Sequence, residues 1–200
     1  MPTITSFDVG IKNLAYCVLQ VEPYTDSNTN YQVDNIQGWG VLSIPQGDNV
    51  PETCQNLIQV LDQTPVLHNC DYVVIENQPV TKNPKMKTIQ VVILSYYLLR
   101  RQQPDSTIQQ VFLLNSSHKL KVYDGPKITV TGKTAYTQRK KLAIAYTKYF
   151  LTNSETWLPI LNSHRKKDDL SDSYLQALYV WKNLKNLSKK SLTAKKTDDA

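Results

Sequence analysis

Hydrophobic and polar positions alternate from the start of the chain. Over Ile4–Val9, Ile4, Ser6 and Asp8 share one face and Thr5, Phe7 and Val9 the other, the period-two signature of a strand. Leu14–Val21 is a second run rich in β-formers. The intervening GIKN has turn chemistry, so the pair reads as a hairpin with Gly10 and Asn13 in its loop. Glu22–Asn30 is polar and turn-rich, and Tyr31–Ile44 suggests a third, less regular strand. At Pro51 the period changes to that of a helix, with Leu57, Val60 and Leu61 at helical spacing and proline in the first turn. Asp71–Glu76 returns to a short apolar strand that ends in a carboxylate. Pro84–Arg101 is a second helix, whose apolar positions cover much of the circumference and so predict burial on more than one side, against the sheet or against another subunit. Ile108–Leu114 reads as a strand, Asn115–Gln138 as a long polar segment containing Lys119, Lys121, Lys127 and Lys133, and Arg139–Leu151 as a helix. The last helix, Asp168–Leu184, carries an apolar stripe of Leu170, Tyr174, Leu175, Leu178 and Trp181.

This order predicts an α/β fold. It is a mixed five-stranded sheet, antiparallel through its first three strands and parallel beyond, flanked by helices. No internal repeat or linker divides the chain. One domain over 1–187 is expected, followed by a lysine-rich, flexible tail over 188–200 that has too few apolar side chains to pack.

Composition narrows the class. The 200 residues are 40% hydrophobic and 20% charged, as in an ordinary globular domain. The longest apolar stretch, Val91–Leu99, is interrupted by Ser95 and two tyrosines, whereas a membrane span needs about 20 apolar residues. The N-terminus has neither the basic flank nor the apolar core of a signal peptide. A soluble intracellular protein is expected. Its cysteines, Cys17, Cys54 and Cys70, are odd in number and show no CxxC spacing, which argues against a disulfide framework or a zinc finger. The histidines, His68, His118 and His164, do not pair at metal-ligand spacing. The net charge of +6 suits a polyanionic partner without requiring one.

The acids are more telling. Asp8 and Glu76 each end a strand, and Asp169 and Asp172 share a face near the start of the last helix. Taken singly they have ordinary explanations: a turn aspartate, a surface glutamate, and acids that favour a helix N-terminus. Jointly they suggest carboxylates meeting in one small volume, where mutual repulsion calls for a cation. Hard oxygen donors of this kind select Mg²⁺, with Mn²⁺ able to substitute, over zinc. Asp8, on the central strand, would bridge two ions, with Glu76 on one and Asp169 and Asp172 on the other.

Basic residues accompany every acid. Lys12 and Asn13 follow Asp8, and Lys82, Lys85 and Lys87 follow Glu76. Arg139, Lys140 and Lys141 open a helix, and Arg165, Lys166 and Lys167 precede the final acidic pair. These are the candidate nucleic-acid contacts, suited to positioning phosphates without reading sequence.

Four blocks carry a resemblance: SFDVGIKNLAYCVL (Ser6–Leu19), VVIENQPVTKNPKMK (Val73–Lys87), QRKKLAIAYTKYFL (Gln138–Leu151) and HRKKDDLSDSYLQALYV (His164–Val180). The chain resembles the poxvirus-type Holliday junction resolvases, a RuvC-like branch of the ribonuclease-H-like nucleases that is also similar to the mitochondrial resolvases of fungi. The resemblance implies a ribonuclease-H-like fold, matching the element order above. It further implies a homodimeric, Mg²⁺-dependent endonuclease that makes paired symmetric nicks across four-way DNA junctions, in recombination or in processing viral genome concatemers. Carried over by position, the catalytic and metal-binding acids are Asp8, Glu76, Asp169 and Asp172. The D-x-x-D spacing selects Asp169 over Asp168. The family's catalytic lysine falls on the RKK run, at Lys141, with Lys140 an alternative. Two other readings stand beside this one: a non-catalytic junction-binding or architectural protein on the same fold, and an actin-like ATPase. The second needs glycine-rich phosphate loops, for which six glycines leave little room.

Overall fold

The alternation at the N-terminus builds the centre of the sheet. In the computed structural model, which describes residues 1–22, 35–81 and 83–194 (185–194 as backbone only), β1 (Thr3–Asp8) lies between β2 (Asn13–Gln20) and β4 (Tyr72–Glu76). β3 (Ile36–Ser43) and β5 (Gln110–Leu114) form the edges, giving the order β3-β2-β1-β4-β5. The first three strands are antiparallel, and β1, β4 and β5 run parallel. This is the predicted mixed sheet. The part of the Tyr31–Ile44 expectation before residue 35 lies outside the described residues.

The parallel register fixes the site. Phe7 pairs with Ile75, and Glu76 with Leu114, so β1, β4 and β5 end at the same edge of the sheet. Gly10 closes the turn after β1. A Cβ there would lie 2.4 Å from the Asn13 carbonyl oxygen, so only glycine lets the chain reverse so soon after Asp8.

Side chains sort by the two-residue period onto two cores. Phe7, Leu14, Val18, Val73 and Ile75 face α1 (Val50–Asp62) and α2 (Pro84–Arg101). Ile4, Cys17, Leu19 and Val74 face α3 (Ala135–Phe150) and α5 (Lys167–Ala194). Asp8 and Glu76 continue the second face, so the alternation that buries Ile4 and Val74 also aims both carboxylates at α5. α5 is pinned by the Trp39 indole, which donates to the Leu170 carbonyl at 2.9 Å. Cys17 and Cys70 are buried, and desolvation pushes both thiols up, Cys70 to about 11, as befits core residues rather than nucleophiles. Among the described residues, no helix is long and apolar enough to cross a membrane.

Three elements differ from expectation. α3 starts at Ala135, four residues before Arg139, because the Thr134 hydroxyl caps it by accepting from the Thr137 N–H. A short α4 (Trp157–Ser163) stands between α3 and α5, where the sequence pattern predicts no helix. α5 continues to Ala194, so the expected boundary at 187/188 falls inside a helix. Its lysine-rich end contains good helix formers, and elongating an existing helix adds a hydrogen bond per residue without requiring a packed face. Residues 195–200 lie outside the described residues. On α2, Ile89, Ile93, Tyr96 and Tyr97 are buried within the chain, while Val91, Leu98 and Leu99 remain exposed.

Candidate active site

The shared edge of β1, β4 and β5 opens into a recess of about 660 Å³. Asp8, Glu76, Asp169 and Asp172 all line it. Asp8 and Glu76 arrive from strand ends, and the helical i, i+3 spacing brings Asp169 and Asp172 down from α5. Lys12, Asn13, Arg139, Lys140 and Lys166 line the same recess, and Gln78, Lys119 and Tyr136, which the sequence pattern does not mark, line it too.

Lys119 is the main difference from the expected site. It opens a short 3₁₀ turn after β5, over Lys119–Val122. Its Nζ lies 2.5 Å from Asp172 Oδ2 and 3.6 Å from Glu76 Oε1. The only sequence signal is positional: it is the first cation after a strand whose neighbour ends in an acid.

The electrostatics follow from crowding. Burial, then the charges of Glu76 and Asp172, push the Asp8 carboxyl well above the usual carboxylate range, with Lys119 opposing. Burial also raises Asp172 to about 6, even though Lys119 pulls it down. Burial works against the Lys119 ammonium, but Asp172, Asp8 and Glu76 together hold its proton more tightly than usual. At the rim, desolvation of Asp168 is outweighed by a hydrogen bond and charge from Lys140, which lower its carboxyl. Lys166 Nζ pairs with Asp169 Oδ2 at 3.0 Å.

Glu76 is held from behind. Gln78 Nε2 donates to Glu76 Oε2 at 2.8 Å, and the Gln78 N–H donates to Gln90 Oε1 on α2 at 2.7 Å. Gln90 is fully buried. Lys87 Nζ donates to Gln90 Oε1 at 3.1 Å and to Asn77 Oδ1 at 3.2 Å, so it is engaged in this support.

The other candidate cations are spread out. Lys141 lines a separate recess with Thr131, Gly132, Lys133 and Thr137, because adjacent helical positions diverge by about 100°. Of the two lysines considered, Lys140 is the one at the acids. Lys85 lines a third recess beside α1, Lys167 donates to the His164 carbonyl at 2.9 Å, and Arg165 is exposed. Lys82 lies outside the described residues.

Among the described residues, no group of three acidic, histidine or cysteine side chains already stands at metal-holding spacing. The donors nonetheless fit a hard cation: they are carboxylates, Asp172 Oδ1 is buried without a partner, and an ammonium already stands between Glu76 and Asp172.

Comparison with solved structures decides what this architecture is. The fowlpox virus resolvase, solved with its substrate Holliday junction DNA, aligns with a TM-score of 0.58 at 22% identity, covering 91% of this chain and 98% of the other. The chain has the fold of the Holliday junction resolvases. The yeast mitochondrial resolvase Ydc2 aligns at 0.57 with 19% identity, over 98% of this chain and 86% of the other. Thermus thermophilus RuvC in complex with a Holliday junction aligns at 0.56 with 13% identity, over 92% and 95%. Residues 4–98, a stretch just short of half the chain that holds Asp8, Glu76 and the Gln78–Gln90 support, match the family described as mitochondrial resolvase Ydc2 / RNA splicing MRS1. An uncharacterized protein of Acanthamoeba polyphaga mimivirus is 38% identical over 135 residues, 62% of this chain and 32% of that protein. The match thus spans about a third of that curated relative's length.

Proposed function

We propose that this chain is a structure-selective DNA endonuclease that resolves four-way junctions by paired symmetric nicks. The observation that carries the reading is the convergence of Asp8, Glu76, Asp169 and Asp172 on one recess lined also by Lys12, Arg139, Lys140 and Lys166. A phosphodiester drawn to the cations would be presented to the carboxylates.

Asp8, Glu76, Asp169 and Asp172 would hold Mg²⁺, for which Mn²⁺ would substitute. When bound, such ions activate water and stabilise the leaving oxygen of a phosphodiester. The chain's own residues do the rest. Gln78 fixes the Glu76 carboxylate in one orientation. Lys140, anchored by Asp168 and lying 5.1 Å from the centre of the Tyr136 ring, offers a positioned charge to the phosphate as negative charge builds. Lys12, Asn13 and Arg139 contact flanking phosphates.

A second copy completes the enzyme. Val91 and Leu98 lie one heptad apart on α2 and are exposed beside Leu99. Pairing of two such faces in a C2 dimer would match the near two-fold symmetry of a junction and provide one site per cut strand.

A synthetic four-way junction, incubated with the protein and Mg²⁺ or Mn²⁺, should yield symmetric nicks. Tight junction binding without cleavage in either metal would favour the alternative, a non-catalytic junction-binding protein. The pairing of Lys119 with both Asp172 and Glu76 is the observation in that alternative's favour.

A further inference from the structure

An ammonium is expensive to bury, yet the Lys119 side chain retains only 13% of its exposure, among carboxylates that are equally enclosed. Its position is built rather than incidental. The preceding residue, His118, stacks its ring on Tyr179 of α5, with centroids 5.1 Å apart and planes 12° apart. At the other end of the 3₁₀ turn, Val122 is buried in the core under α5, and its carbonyl accepts from Lys182 of that helix at 2.9 Å. The turn carrying Lys119 is therefore clamped to the same helix that carries Asp172. Three carboxylates, Asp8, Glu76 and Asp172, act on this one cation. Asp172 Oδ1 is left buried without a partner. The ammonium thus balances only part of the cluster's charge.

We propose that Lys119 is a built-in cation that holds Glu76 and Asp172 together in the metal-free protein and competes with a divalent ion for that pair. This rests on the reading of the recess as a metal-dependent site and adds to it a loading step. A divalent ion can engage both carboxylates only after Nζ withdraws, and the long, flexible lysine stem permits the withdrawal. Binding of the ion is therefore weaker than the carboxylates alone would allow.

The test uses the full chain without DNA and Mn²⁺ as the probe, with affinity read by calorimetry or by the electron paramagnetic resonance of free Mn²⁺. Lys119→Met keeps the stem and removes the competing charge, and it should tighten Mn²⁺ binding by about tenfold or more. Lys119→Arg should weaken it, because a guanidinium grips carboxylates through a fork of N–H groups and yields less readily. Circular dichroism establishes that each variant is folded. Unchanged or weaker Mn²⁺ affinity in folded Lys119→Met overturns the inference. If that variant folds poorly without metal, unchanged or tighter affinity in Lys119→Arg overturns it. Mn²⁺ uptake by the wild type with no effect of either substitution removes the inference alone. Absence of uptake by both wild type and Lys119→Met removes the metal-dependent reading as well.

Discussion

Gln90 offers a way to disturb the site without touching an acid. Its Oε1 accepts from the Gln78 N–H at 2.7 Å, and Gln78 in turn donates to Glu76 Oε2 at 2.8 Å. Gln90→Met has nearly the same length and volume but no acceptor comparable to the amide oxygen. The substitution leaves a buried backbone donor unpaired, which costs about 1–3 kcal/mol. Removing the amide nitrogen, itself buried without a partner, offsets part of that. A net loss of about 1–2 kcal/mol is expected in urea unfolding. The effect on cleavage should be larger than stability alone implies. Glu76 loses its fixed orientation, and misplacement of a reacting group by about 1 Å can cost on the order of a hundredfold. Single-turnover cleavage of a four-way junction should therefore fall at least about tenfold while junction affinity stays within about twofold. A variant that loses stability yet cuts at the wild-type rate would refute the reasoning, since Gln90 would then be a packing residue only.

In chelator-treated protein, Asp8 and Asp172, faced by Glu76, Asp168 and Lys119, hold protons more tightly folded than unfolded. Between about pH 4 and pH 6 the folded state thus binds more protons, so stability should fall as pH rises; Asp172 alone accounts for about 3 kcal/mol at most. Urea titrations across this range should show the decline, and Asp172→Asn should flatten it; a rise in stability over the same range contradicts the assignment. Lys140→Ala should slow cleavage by about a hundredfold, whereas Lys141→Ala, in its separate recess, should leave the rate within about threefold; equal losses would contradict the placement of these two side chains. Leu98→Asp on the exposed α2 face should convert a dimer into a monomer in light scattering, and a dimer that persists would mean that another face pairs.

The reach of the sequence in this protein follows the physics of each element. Ile4, Ser6 and Asp8 share a face because a strand repeats every two residues, so the direction of Asp8 is written locally. The i, i+3 spacing of Asp169 and Asp172 is equally local. Those two patterns, with the strand-ending Glu76, made the acidic half of the site legible. Lys119 was not, because its place depends on β5 lying beside β4 and on a clamped turn within an irregular segment, neither of which has a period. Choosing between Lys140 and Lys141 required the orientation of α3 about its axis, which tertiary packing sets. Pro159 within a seven-residue segment concealed α4, and the Thr134 cap sits too far ahead of the first apolar periodicity to announce where α3 begins.

The central claim is that the recess cuts branched DNA through its carboxylates. Its most direct test is strand-resolved cleavage of a synthetic four-way junction, comparing wild type with Asp8→Asn at equal junction occupancy. The wild type should make paired nicks at symmetry-related positions in Mg²⁺ or Mn²⁺. Asp8→Asn should make none while binding the junction as well as the wild type does. A folded wild type that binds the junction and leaves every strand intact in both metals, or an Asp8→Asn variant that cuts as fast, would contradict it.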